Sequence, residues 1–289
     1  MSCFNFCCCF FSAPDRVLPK PQTDERAEFE RLLQESIEPG NSNGWNIKTP
    51  FENDYNKSHF KMRISLKPDP NGNANNMLRA DGKFKGVKPQ QFMDYLLNPK
   101  NLPGLQEWKD VEGGGRGETT TVATAAEDTT PATTTERSTV TMIKYCKVKA
   151  PMMAARDHVW KYIIEKDKKI KSNTEGGTSD DGDGDGDGDG DDDGDIFVTI
   201  RTTSHSDYEA EPNSGIIRAY YYNSSKFSMS KESGEEDVML MTEFIFQDLK
   251  GGLPVCLMNA ALPAGTIAAN KNEMKLIEAK SEYSIKSDS

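Results

Sequence analysis

Three groups of side chains in this sequence could do chemistry: clustered cysteines, a dense run of aspartates and a few histidines. The cysteines sit among aromatics near the start, in Met1-Ser-Cys-Phe-Asn-Phe-Cys-Cys-Cys-Phe-Phe11. Thiols beside Phe4, Phe6, Phe10 and Phe11 suit S-acylation, since the rings first touch a bilayer weakly. Each acyl chain then adds about 0.8 kcal/mol per buried CH₂. Cys3, Cys7, Cys8 and Cys9 are therefore the acylation candidates. Two other readings stand beside this one: an unstructured adhesive terminus, and a thiolate metal cluster. Consecutive cysteines do not easily present all their thiolates to one zinc, which disfavours the cluster. Ser2 excludes N-myristoylation. No basic start or small-residue cleavage site marks a secretory signal.

Residues 180–195 hold ten aspartates and no base. Asp181-Gly-Asp-Gly-Asp-Gly186 matches the opening of a calcium-binding EF-hand loop. The remainder of that pattern fails, with Asp192 where a bidentate glutamate belongs, Gly188 where an apolar residue is normal, and no helix following. The tract is expected to bind cations weakly, without a defined site. The three histidines are His59, His158 in a strand-like run, and His205 in a turn-like Ser-His-Ser-Asp stretch. No G-x-S-x-G, H-E-x-x-H, C-x-x-C or phosphate-cradling glycine loop is present. Gly113-Gly-Gly-Arg-Gly117 lacks a strand-to-helix context. The expectation is a non-enzyme with no catalytic residue, no cofactor and no metal.

These groups lie along an otherwise ordinary chain. Only 35% of the 289 residues are hydrophobic, because two polar tracts dilute the composition. The acidic tract also accounts for the net charge: without its ten aspartates, −11 becomes −1. A near-neutral body gives no electrostatic basis for nucleic-acid binding. No stretch reaches the roughly 18 apolar residues of a membrane-spanning helix. With Cys146 and Cys256 isolated, the cysteines form no secreted disulfide framework, and a reducing, cytoplasmic setting is expected.

Periodicity supplies the element order. Thr23 can cap a helix carrying Phe29, Leu32, Leu33 and Ile37, which Pro39-Gly40 ends. Strand-like runs follow at Trp45–Lys48, Phe60–Leu66 and Met77–Lys85, then a helical segment from Pro89 to Leu97. Residues 113–135, rich in glycine and threonine without apolar periodicity, read as a disordered loop. Strand character returns at 140–148, 156–164, 196–202, 215–223 and 238–247, and a helix begins near Leu253-Pro254. This order predicts an α+β domain with an antiparallel sheet closed by a C-terminal helix. The domain is expected over 23–286, after a Cys-rich segment and linker over 1–22, with disordered insertions at about 112–138 and 171–195. Such insertions cost little, because loop-closure entropy grows only logarithmically.

Four segments in order then resemble the START domain, the steroidogenic-acute-regulatory-related lipid-transfer family. They are Ala150-Pro-Met-Met-Ala-Ala-Arg-Asp-His-Val159, Thr203-Ser-His-Ser206 with Glu211-Pro212, Gly215-Ile-Ile-Arg-Ala219, and Phe246-Gln-Asp-Leu-Lys-Gly-Gly-Leu-Pro254 with Asn259. Trp108 fits more loosely upstream. The resemblance implies a helix-grip fold, a curved sheet around a long C-terminal helix that encloses a hydrophobic cavity. It also implies a lipid ligand carried between, or presented to, membranes. The candidate cavity residues are Tyr162, Phe197, Thr199, Ile217, Ala219, Tyr221, Met241, Phe244, Leu257, Met258 and Ala261. Arg156-Asp157 is expected to fix local structure. The expected partners are a lipid and a membrane surface, reached through an acylated N-terminus; nucleic acid is not expected. A START-fold enzyme and a membrane-tethered regulatory scaffold are the other readings.

Several departures leave the ligand unnamed. Leu105 and Lys109 occupy positions where phosphatidylcholine carriers hold arginine and aspartate. Tyr162 stands where sterol carriers hold arginine. Gly252 replaces a tryptophan, and Pro263 is expected to kink the terminal helix.

Overall fold

A computed structural model of the protein describes residues 24–35, 37, 42–49, 60–68, 75–101, 105–112, 118–123, 134–149, 154–169, 194–209, 214–230, 238–250 and 255–287. The candidate acylation cysteines and the aspartate run through 193 lie outside them.

Helix α1 (Glu25–Gln34) starts where the Asp24 side chain accepts a hydrogen bond from the amide of Ala27 at 3.0 Å. This satisfies one of the four unpaired N–H groups at a helix start. Strands β1 (Asn46–Thr49), β2 (Phe60–Pro68) and β3 (Asn76–Lys85) follow as expected. Gly86, at φ 70°, then turns the chain into α2 (Pro89–Leu96). Strands β4 (Leu105–Glu112), β5 (Glu118–Ala123), β6 (Thr134–Val148), β7 (Arg156–Lys169) and β8 (Ile196–Thr202) come next. The two-residue β9 (Ile217–Arg218), β10 (Tyr220–Ser230) and β11 (Val238–Asp248) complete the sheet, and α3 (Val255–Ser287) ends the chain.

All eleven strands join one sheet, in the order β1-β2-β3-β11-β10-β8-β7-β6-β4, with β5 paired to β6 and β9 to β7. Every pairing is antiparallel except that of β7 with β9. The helix-grip architecture is therefore present: one large antiparallel sheet with a long C-terminal helix across it.

No strand-like run marked β4 in the sequence, and two further differences from the sequence reading have simple causes. The tract read as a loop over 113–135 contains β5 and the start of β6, which pair from Glu118↔Thr139 to Ala123↔Thr134. Threonine favours extended backbone, and main-chain pairing needs no apolar alternation. The run at 215–223 divides, because Ile217–Arg218 pairs with β7 before the chain moves across to β10.

The sheet buries residues on both faces. On the inner face Phe60, Met62, Ile64, Leu78, Ala80 and Phe84 pack against Phe92 and Met93 of α2 and Met274 of α3. On the outer face α1 lays Phe29 and Leu32 over Phe197 and Phe244, with ring centroids 4.7 Å and 5.2 Å from Phe29. Gly82 is demanded by packing: a Cβ there would meet the Phe84 ring at 2.6 Å.

Candidate functional site

Between the inner face and the two later helices lies a cavity of about 950 Å³. Strand alternation sends every second residue toward it: Val198 and Ile200 from β8, Tyr221, Asn223 and Ser225 from β10, and Met241, Glu243, Ile245 and Gln247 from β11. Phe92, Tyr95 and Leu96 of α2 close one end. Helix α3 contributes Met258, Leu262, Thr266 and Asn270, spaced four apart, with Ala261, Gly265, Ala269 and Glu273 beside them. Small residues on this helix leave the space open. Thr266 returns a hydrogen bond to the Leu262 carbonyl at 3.0 Å, and Asn270 to that of Thr266 at 3.0 Å. The helix runs on through Pro263, which has no amide to bond the preceding turn.

Four of the eleven cavity candidates meet on this wall: Tyr221, Met241, Met258 and Ala261. Tyr162 faces the same side, opposite Ile200, but packs behind the wall with Cys146 and Trp160. Phe197, Thr199 and Phe244 point the other way, the two rings into the cluster beneath α1 and Thr199 toward Ser224 at 3.5 Å. Their phase is off by one residue. Both faces of β8 and β11 are apolar because helices cover both, so hydrophobicity alone does not say which parity is inward. Ile217 lies in β9, and Ala219 donates its amide to the Asp157 carbonyl at 3.2 Å. Leu257 is 59% exposed on α3.

The wall also carries groups that the sequence reading passed over. Glu243 accepts a hydrogen bond from Asn223 Nδ2, and Ser225 donates to Asn223 Oδ1 at 2.6 Å. Burial pushes the Glu243 carboxyl up to about 7, with Asn223 and Ser225 drawing it partly back. Glu273 is pushed up to about 8, by burial first and then by the Glu243 charge. Both residues keep part of their surface toward the cavity. Their signal was present: Glu243 shares the parity of Met241, and Glu273 falls on the helical face of Met258, Leu262 and Thr266. No group of three or more metal-ligating side chains occurs among the described residues.

Gln247 and Leu249 of the fourth motif line the cavity, whereas other described motif residues stand outside it and tie its frame together. The Asp157 carboxylate accepts hydrogen bonds from Nε and Nη2 of Arg218, at 2.9 and 2.8 Å, and Arg218 Nη2 also donates to the Tyr208 carbonyl at 2.8 Å. Arg156 reaches the carbonyls of Leu249 and Lys250 at 3.3 and 3.4 Å, holding the connection into α3. In that connection Asp248 accepts the Lys250 amide at 3.0 Å while Lys250 sits at φ 51°. Asn259 anchors α3 by accepting the Asn76 amide at 2.9 Å. Gly215 takes φ 70°, a region glycine enters without strain. Lys109, by contrast, is exposed and pairs with Glu107 at 2.5 Å.

No family model matches the chain, and no curated protein sequence matches it. Solved structures do. Human StAR-related lipid transfer protein 5 aligns at 15% identity over 89% of this chain and 95% of that one, with a TM-score of 0.50. Human STARD10 aligns at 13% identity over 90% and 84%, with a TM-score of 0.48. The lipid transfer and protein localization domain of human StarD13 (DLC2) aligns at 15% over 86% and 94%, with a TM-score of 0.46. At such identities the likeness is one of fold, and it is the START helix-grip fold.

Proposed function

We propose that this protein holds a lipid or similar hydrophobic ligand in the cavity under α3 and transfers or presents it between membranes. The observation that supports this best is the cavity: about 950 Å³ lined by Phe92, Leu96, Val198, Ile200, Met241 and Leu262. A space of that size matches ligand pockets in general, and its apolar walls favour an apolar guest by about 25 cal/mol per Å² removed from water. A matching fold occurs in a protein titled StAR-related lipid transfer protein 5, in line with this use. Loading requires α3 to swing from the sheet, and the connection around Lys250 is where the backbone would turn. The Cys-rich N-terminus would act as a tether at the membrane served.

Native mass spectrometry of protein purified from cells tests the reading. The expected result is a copurified lipid, with faster transfer of that lipid between vesicles. Ala261→Trp, which puts an indole ring into the cavity, should weaken both while the fold survives. An empty protein that accelerates no transfer overturns the proposal. The tether has a separate test: changing Cys7, Cys8 and Cys9 to serine should release the protein from membranes, and unchanged partitioning refutes it.

A further inference from the structure

The cavity is lined by polar as well as apolar side chains, and two of the polar ones are acids whose charges act on each other. Glu243 projects from β11 and Glu273 from α3 into the same space. Glu243 has the Asn223 amide as a donor, whereas no described residue donates a hydrogen bond to the Glu273 carboxyl. One turn before Glu273 on the same wall, Asn270 is 5% exposed and its Oδ1 has no hydrogen-bond partner. Its Nδ2 is already committed to the Thr266 carbonyl, so the unused capacity is an acceptor. A buried acceptor left unpaired costs on the order of 1–3 kcal/mol, and native interiors rarely leave one so. The Glu273 carboxyl and the Asn270 amide oxygen thus lack donors among the described residues, and Glu243 has Asn223 beside it.

Other titratable groups near the pair do not neutralise it. Tyr95 of α2 and Tyr221 of β10 face it, and both phenols are held neutral by burial with the nearby glutamates adding to the effect. Lys100 is the one basic residue among the described lining, and it is exposed on the turn Pro99–Asn101. No arginine or histidine lines the described wall. The acids of this sector therefore lack a resident cation.

We propose that the ligand of this cavity is a long-chain amine, whose ammonium group sits between the Glu243 and Glu273 carboxylates and whose hydrocarbon tail lies along Phe92, Leu96, Ile200 and Met241. This deepens the cavity reading above and rests on it. An ammonium group carries three donors and no acceptor, which matches a sector with surplus acceptors. Its charge also relieves the repulsion between the two acids, which a neutral hydroxyl cannot do. In the free protein the pair keeps a proton near neutral pH, because burial and mutual repulsion favour the uncharged form. Binding of the protonated amine releases that proton to solvent, so affinity rises with pH until the amine itself loses its charge.

The test compares dodecylamine with dodecanol on the full chain by isothermal titration calorimetry, below the concentration at which either self-associates. The amine should bind at least tenfold tighter than the alcohol at pH 7.5, and that preference should grow from pH 6 to pH 8.5. Titrations in two buffers of different ionisation enthalpy should reveal a released proton. Glu273→Gln and Glu243→Gln, made separately, should each cut the amine preference about tenfold while alcohol binding stays as it was, which also reports an intact cavity. Equal affinity of the wild-type protein for amine and alcohol at pH 8.5 overturns the inference and leaves the cavity reading standing. Failure to bind either probe overturns both. A preference that survives in both glutamine variants overturns the assignment to this pair.

Discussion

The two faces of the sheet treat their charges in opposite ways. Under α1, on the outer face, buried charges are matched. Glu35 receives Lys67 Nζ at 2.6 Å, Trp45 Nε1 at 2.7 Å and Arg31 at 2.9 Å. Burial works against its ionised form, yet those hydrogen bonds outweigh it and hold the carboxyl below its usual range. Asp81 takes Arg79 and Arg63 at 3.1 Å each, with Thr242 also at 3.1 Å. Glu25 is raised by burial there, but even it has Arg201 at 2.6 Å. On the inner face Glu243 and Glu273 have no cation partner among the described residues and are pushed up. Paired charges serve the fold, whereas the uncompensated pair beside the cavity is where the amine proposed above would sit.

The comparison can be broken from either side. The outer face should be the mechanical one, so Phe244→Ala, which removes a fully buried ring packed on Phe29, should cost about 3–5 kcal/mol. Urea unfolding reads this, and a loss below about 1 kcal/mol would count against a packed α1. Next, Lys67→Met leaves Glu35 with one charge partner fewer and should cost about 1–3 kcal/mol at pH 7. As pH falls below the usual carboxylate range and through the lowered Glu35 titration, the difference should shrink.

On the inner face the sign reverses. Raised carboxyls mean that the folded chain binds more protons than the unfolded one between about pH 4.5 and about 8, so stability falls as pH rises through that window. Replacing Glu243 and Glu273 together by glutamine should stabilise the empty protein by about 1–2 kcal/mol at pH 8.5 and by nothing at pH 4.5. A double variant less stable than wild type at pH 8.5 would show that the pair supports the fold. The smallest effect belongs to His158, buried beside Trp160 at 4.8 Å and pushed down to about 4 by burial. It binds fewer protons folded than unfolded, so it makes stability drop as pH falls from 6.5 to about 4. His158→Phe should flatten that acid limb by about 1 kcal/mol in pH-dependent melts.

Much of this fold is legible from the chain alone. Strand alternation in Phe60–Leu66, the Pro89 start of α2 and the long terminal helix follow from local periodicity and caps. The motif order from Arg156 to Asn259 also points to the helix-grip fold. Motif residues such as Asp157 and Arg218, however, turn out to be ties, so they identify the frame and not the ligand. The site was legible only in part. Met241 and Phe244 are three apart on one strand and cannot share a face; strict alternation from Met241 leads to Glu243, and alternation from Phe244 leads away from the cavity.

What the sequence determined by itself was therefore the class of fold and the element order apart from β4 and β5, because helix and strand periods are local properties. Only the tertiary structure decided which parity of β8, β10 and β11 looks inward, because α1 makes the outer face as apolar as the inner one. It alone brought Glu273, thirty residues on from Glu243, back across the sheet to the same cavity. Sequence separation does not encode that meeting; the packing of α3 does.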